Sequence, residues 1–89
     1  MPDAKRVTVY TTEPCGFCTQ AKRLLEARGV EFDEVNLARS ADGREALVAR
    51  TGQMTFPQIL IGDRSIGGFR ELVMADRDGS LKALLAAAA

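Results

Sequence analysis

The sequence predicts an α/β fold running β-α-β-α-β-β-α-α. Three observations predict it. Short β-branched runs, Val7-Thr8-Val9-Tyr10 and Ile59-Leu60-Ile61, alternate with stretches whose apolar residues fall at helical spacing. Glycines stand where the helical stretches stop, at Gly29, Gly52 and Gly79. The first half reads strand, helix, strand, a unit that closes as a right-handed parallel crossover, whereas Gly62-Asp63 is a tight turn that returns the second half as an antiparallel hairpin. With 89 residues the chain is expected to form one domain over residues 1–89.

Arg6 to Tyr10 is the expected first strand, with Val7 and Val9 on one face and Thr8 and Tyr10 on the other. Thr11 to Pro14 forms a loop. From Cys15 to Arg28 the pattern is helical: Phe17, Ala21, Leu24 and Leu25 make an apolar stripe that should face a sheet. Arg28 suits the negative end of the helix dipole, and Gly29 ends the helix. Val30 to Leu37 is the expected second strand. Val30, Phe32 and Val35 supply apolar contacts, and Glu31, Asp33 and Glu34 keep one face wet, which suits an edge strand.

Ser40 is the expected N-cap of a helix over Ala41 to Arg50, with Leu47 packing inward and Gly52 as the stop. Ile59 to Ile61 is a buried strand, and Arg64 to Ile66 returns beside it. Gly67-Gly68 opens a third helix, Phe69 to Asp76. The last helix runs from Leu81 into the alanine tail, with Leu81, Leu84, Leu85 and Ala88 inside.

Composition narrows the function classes. Lys and Arg number 12, as do Asp and Glu, so bulk charge does not favour a nucleic acid or an anionic membrane as partner. No apolar run is long enough to span a bilayer. Met1 to Arg6 is polar and lacks the apolar core of a signal peptide, so the expected location is the cytoplasm.

Pro14-Cys15-Gly16-Phe17-Cys18 holds both cysteines of the chain, at a strand-to-helix turn. Two thiols at this spacing can close into a disulfide and reopen with little backbone motion, and a C-x-x-C in such a context reads as a redox pair. A helix N-terminus favours thiolate over thiol, and the thiolate is the form that attacks disulfides. Two other chemistries use cysteine pairs. A structural disulfide here would close a tiny loop and stabilise little. A tetrahedral zinc site needs four ligands, and the chain has 2 cysteines and no histidine. Cys15, at the helix start, is the expected nucleophile. Cys18, one turn in, is expected to be more buried and to resolve the intermediate.

The chain resembles the glutaredoxins over nearly its whole length. Three motifs in order carry the resemblance: Tyr10 to Cys18, Thr55-Phe56-Pro57-Gln58-Ile59, and Ile66-Gly67-Gly68-Phe69. The resemblance implies a thioredoxin-like three-layer fold, in which a four-stranded mixed sheet ordered second, first, third, fourth strand has helices on both faces. It implies a cis Pro57 that presents the backbone of Phe56 to substrate. It also implies a glutathione site built from Thr55, Phe56, Pro57, Gly68, Phe69, Arg70 and Gln53. Taken alone, Pro57 also fits the mere start of a strand, and Gly67-Gly68 fits a mere turn.

The chain departs from the family pattern at three places. Gly16-Phe17 stands where many dithiol relatives have Pro-Tyr, and is typical of the monothiol, cluster-binding branch, which has serine in place of Cys18. Thr12 stands where many relatives carry a lysine for the glycine carboxylate of glutathione; Gln53, Gln58 and the Lys22 amine are the candidates to replace it. Gly68-Phe69-Arg70 also resembles NrdH-type redoxins, which are served by thioredoxin reductase.

The expected activity is therefore glutathione-dependent reduction of protein disulfides and of protein–glutathione mixed disulfides through Cys15 and Cys18. Glutathione is the expected reductant and co-substrate, and the expected state is a monomer. Two alternatives follow from the same resemblance. One is a dimer sharing a [2Fe–2S] cluster through Cys15 and glutathione thiols. The other is a redoxin reduced by thioredoxin reductase.

Overall fold

Four short strands and four helices build the chain, and a computed structural model describes residues 6–86. The strands are β1 (Val7–Thr11), β2 (Phe32–Asn36), β3 (Gln58–Ile61) and β4 (Arg64–Gly67). The helices are α1 (Gly16–Ala27), α2 (Ala41–Thr51), α3 (Phe69–Asp78) and α4 (Ser80–Ala86). The sheet order is β2-β1-β3-β4. β1 pairs parallel with β2 and antiparallel with β3, and β3 pairs antiparallel with β4. The expected element order, the parallel crossover and the hairpin are all present. Ala88, expected inside the last helix, lies outside the described residues.

Strand alternation sorts the side chains. Val7, Val9, Ile59 and Ile61 share one face and pack with Ala21 and Leu25 of α1, Leu72 and Ala75 of α3, and Leu81 of α4. Gln58 and Leu60 point to the opposite face and are as deeply buried. There the Thr51 hydroxyl, in the last turn of α2, donates to Gln58 Oε1 at 2.8 Å. Helices thus cover both faces of the sheet.

Local chemistry sets the helix ends. Ser40 Oγ accepts from the Gly43 N–H at 3.0 Å, and Gly52 closes α2 with φ 75°, a conformation open to glycine. At the end of α1, the Gly29 N–H reaches the Glu26 carbonyl and the Val30 N–H reaches the Leu25 carbonyl. That paired pattern commits Val30 to the helix cap. The second strand therefore starts at Phe32 rather than at Val30.

Two apolar expectations need correction. Phe17 is 60% exposed instead of facing the sheet. The inward stripe of α1 is Cys18, Ala21 and Leu25, so Phe17 falls about 100° round the helix from Cys18. Val35 is 37% exposed, because on the edge strand it lies opposite to the side that Phe32 turns to the core.

Leu25 is fully buried between α1 and the sheet. Leu25→Ala should lower stability by about 2–5 kcal/mol. Urea unfolding should show a lower midpoint with an unchanged slope; an unshifted midpoint would mean that α1 is not held by this contact.

Candidate active site

Cys15 occupies the N-cap position of α1, where Ser, Thr, Asp or Asn is usual. Its sulfur takes the role of the capping oxygen and accepts from the Cys18 N–H at 3.0 Å. The loop from β1 brings Cys15 to this point, and the apolar stripe of α1 fixes the helix behind it. Cys15 and Cys18 are joined in a disulfide with Cα atoms 5.3 Å apart. Cys15 is half-buried, whereas Cys18 is only 3% exposed. The expected difference in burial is present: one sulfur can be reached from solvent and the other sits behind it.

A groove of about 220 Å³ gathers Thr55, Phe56, Pro57, Gly68, Phe69 and Arg70 with Phe17 and Glu71. Six of the expected glutathione-site residues thus come together. Phe17, from between the two cysteines, forms one wall and stacks on Phe69, with ring centroids 5.6 Å apart. The Phe56-Pro57 peptide is cis, as expected, and so is Glu13-Pro14.

Gln53 does not line the groove. Its backbone carbonyl accepts from Gln58 Nε2 at 2.9 Å, and its N–H donates to the Thr51 hydroxyl. Gln58 is completely buried and holds Thr51 and Gln53 together, so it cannot stand in for the missing lysine at Thr12. It occupies the face of β3 that turns toward α2. The Lys22 ammonium is engaged by both oxygens of Glu34 at 3.0 Å.

Two residues of the site region, Glu71 and Glu34, carry roles that the local sequence does not reveal. Glu71 folds back so that its Oε1 accepts from the Gly68 N–H at 2.8 Å. One N–H of the α3 start is therefore already met by a carboxylate of the chain itself, and the Phe69 and Arg70 N–H groups remain at the first turn for another acceptor. Gly67, at φ 119°, allows this closure: a Cβ there would lie 2.9 Å from Glu71 Cγ. Glu34 is expected on a wet strand face. It is exposed, as expected, and in parallel register opposite Val9 it also accepts from Lys22 of α1 and from the buried Thr11 hydroxyl at 2.9 Å. It ties the last residue of β1, the edge strand and the second turn of the cysteine-bearing helix. The Lys22 ammonium, together with the Thr11 hydroxyl, holds the Glu34 carboxyl below its usual range against a smaller opposing effect of burial.

The residues present do not make an iron–sulfur site on one chain. Such a cluster takes four ligands. Among the described residues no three His, Cys, Asp or Glu side chains converge to hold a metal, and Cys15 is bonded to Cys18.

Residues 7–66 match the glutaredoxin family model. The chain belongs to the glutaredoxin family. It is 42% identical over 79 residues to glutaredoxin 3 of Escherichia coli (strain K12), covering 89% of this chain and 95% of that one. It is 41% identical over 81 residues to a glutaredoxin of Pseudomonas aeruginosa, covering 91% and 96% of the two chains. Among solved structures, a buckwheat glutaredoxin–glutathione complex superposes with a TM-score of 0.86 at 30% identity, over 97% of this chain and 81% of that one. The holo form of glutaredoxin C1 from Populus tremula x tremuloides gives 0.84 at 33% identity, over 98% and 89%. The fold is thus thioredoxin-like, and this glutaredoxin is a thiol-disulfide oxidoreductase with a dithiol Cys-Gly-Phe-Cys motif.

The Glu34 cluster generates a pH prediction. A carboxylate whose folded value is lowered adds stability that is present above the ordinary carboxylate range and is lost as pH falls through the lowered value. Glu34→Gln should cost about 0.2–1 kcal/mol at neutral pH, since the pair is partly solvated. The gap to the parent protein should close in acid, below the usual carboxylate range. A gap that stays constant across that range in urea unfolding would mean that the charge on Glu34 adds nothing.

Proposed function

We propose that the chain is a glutathione-dependent oxidoreductase that reduces protein disulfides and protein–glutathione mixed disulfides, with Cys15 as nucleophile and Cys18 as resolving thiol. The observation that carries this reading is the placement of Phe17, Thr55, Phe56, Pro57, Gly68, Phe69 and Arg70 around one groove at the cysteine-bearing turn. The groove is smaller than the usual range for whole-ligand pockets, about 300–1,000 Å³. It suits one end of a tripeptide whose thiol reaches outward to Cys15. The first-turn N–H groups of Phe69 and Arg70 suit a ligand carboxylate. The similarity to a glutaredoxin solved with glutathione supports the same ligand.

In the reaction, the Cys15 thiolate attacks one sulfur of the substrate disulfide, and the other sulfur leaves and takes a proton. The Cys18 N–H at the helix start stabilises the negative sulfur before attack. With a protein disulfide, the Cys18 thiol then displaces the substrate from Cys15, giving the Cys15–Cys18 disulfide and a reduced substrate. With a glutathionylated protein, Cys15 keeps the glutathionyl group, and a second glutathione removes it as glutathione disulfide. Two glutathiones reopen the Cys15–Cys18 disulfide by the same exchange.

Single variants separate these roles. Cys15→Ser should abolish both activities, because a serine hydroxyl is not ionised at neutral pH and no histidine is present to activate it. Cys18→Ser should keep activity on a glutathionylated peptide and lose most of its activity on a disulfide-bonded protein. The reverse pattern would exchange the roles. For the reductant, NADPH consumption coupled through glutathione and glutathione reductase should support turnover; turnover with thioredoxin reductase alone would refute the glutathione assignment.

A further inference from the structure

A second groove, of about 460 Å³, lies between α1 and α3 and is larger than the one at Pro57. Its size falls within the range of ligand-binding clefts, about 300–1,000 Å³. Leu24, Phe69 and Val73 give it partly buried apolar walls, and Arg23 and Arg77 stand exposed on its two sides. At one end, Arg28 grips Asp76 through two hydrogen bonds of 2.8 Å, which joins the two helices. The groove therefore carries three guanidiniums against one carboxylate in a chain whose formal net charge is +0. Phe69 lines both grooves and stacks on Phe17, so one aromatic pair links the cysteine turn to this cleft.

We propose that this α1–α3 groove docks an acidic segment of the disulfide-bearing protein substrate. The proposal rests on Cys15 being the attacking sulfur. From Cys15 to Gln20 and Arg23 is about 7–12 Å along the helix at 1.5 Å per residue. An extended chain rises about 3.3 Å per residue, so the acidic residues would stand roughly two to four positions from the substrate cysteine. An apolar side chain among them would lie against Leu24 and Val73, and the carboxylates would meet Arg23 and Arg77. Lysine- or arginine-rich flanks would be repelled.

The test is a single turnover that needs no reductant. Reduced protein is mixed with a peptide carrying an intramolecular disulfide, and loss of protein thiols is followed by acid quench and alkylation. Each event oxidises Cys15 and Cys18 to the disulfide and reduces the peptide to its dithiol. Two peptides are compared, with glutamates or glutamines at positions two to four from the reacting cysteine. The glutamate peptide should react about tenfold faster at low salt, and the advantage should shrink as salt is raised. The double variant Arg23→Glu, Arg77→Glu should lose that preference while its rate with the glutamine peptide stays the same. Equal rates for the two peptides, or a preference that survives the double variant, would overturn the docking surface alone. If neither peptide oxidises the protein, the role of Cys15 fails, and the docking surface fails with it. A dimer of the reduced protein that the double variant dissociates would assign the groove to a second copy of the chain and likewise overturn the proposal.

Discussion

The site depends on one contact: the Cys18 N–H pointing at the sulfur of Cys15 at the start of α1. Helix N-termini carry unpaired donors, and most helices meet them with a side-chain oxygen. Here a sulfur does so. An N–H donor and the positive end of the helix dipole therefore converge on an atom that can be charged, and charging it is what thiol exchange requires. The remainder of α1 serves to hold this start still. Ala21 and Leu25 are fully buried against the sheet, and the Arg28–Asp76 pair clamps the far end to α3. Glu34 adds a polar tie between the helix, the end of β1 and the sheet edge.

The same helix start explains why two cysteines of one motif differ. They are three positions apart, so the second lies about a turn deeper, beneath the first. Burial of Cys18 on the core side and partial exposure of Cys15 then follow from where α1 meets the sheet. Cys15 is thus the more exposed of the two sulfurs, and Phe17, Phe69 and Pro57 line the groove beside it. Phe69 lines both this groove and the one between α1 and α3.

Much of this was legible in the residues. The Ser40 cap, the Gly52 stop and the inward Leu47 follow from local rules that need no knowledge of neighbours, and all three hold. The cysteine turn and the hairpin are local in the same sense. The residues whose setting differs from the local pattern depend on distant partners. Phe17 has helical spacing with Ala21 and Leu24, but the stripe is rotated toward Cys18, and its partner is Phe69, which is far away in the sequence. Glu34 is the solvated strand charge that the sequence suggests, but its partners Lys22 and Thr11 follow only from the parallel register that sets it opposite Val9. Gln58 reads as a free amide until α2 folds over its face and supplies Thr51. Strand alternation alone places Gln58 with Leu60 and Phe32 with Glu34.

The central claim is that the helix start singles out Cys15 as the ionised thiol. Mass-spectrometric mapping of iodoacetamide alkylation on the reduced protein, as a function of pH, measures this directly. Cys15 should be modified at pH values where a free cysteine is still protonated and unreactive, and Cys18 should lag behind it throughout. Modification of both cysteines in step with free cysteine, or of Cys18 first, would contradict the account.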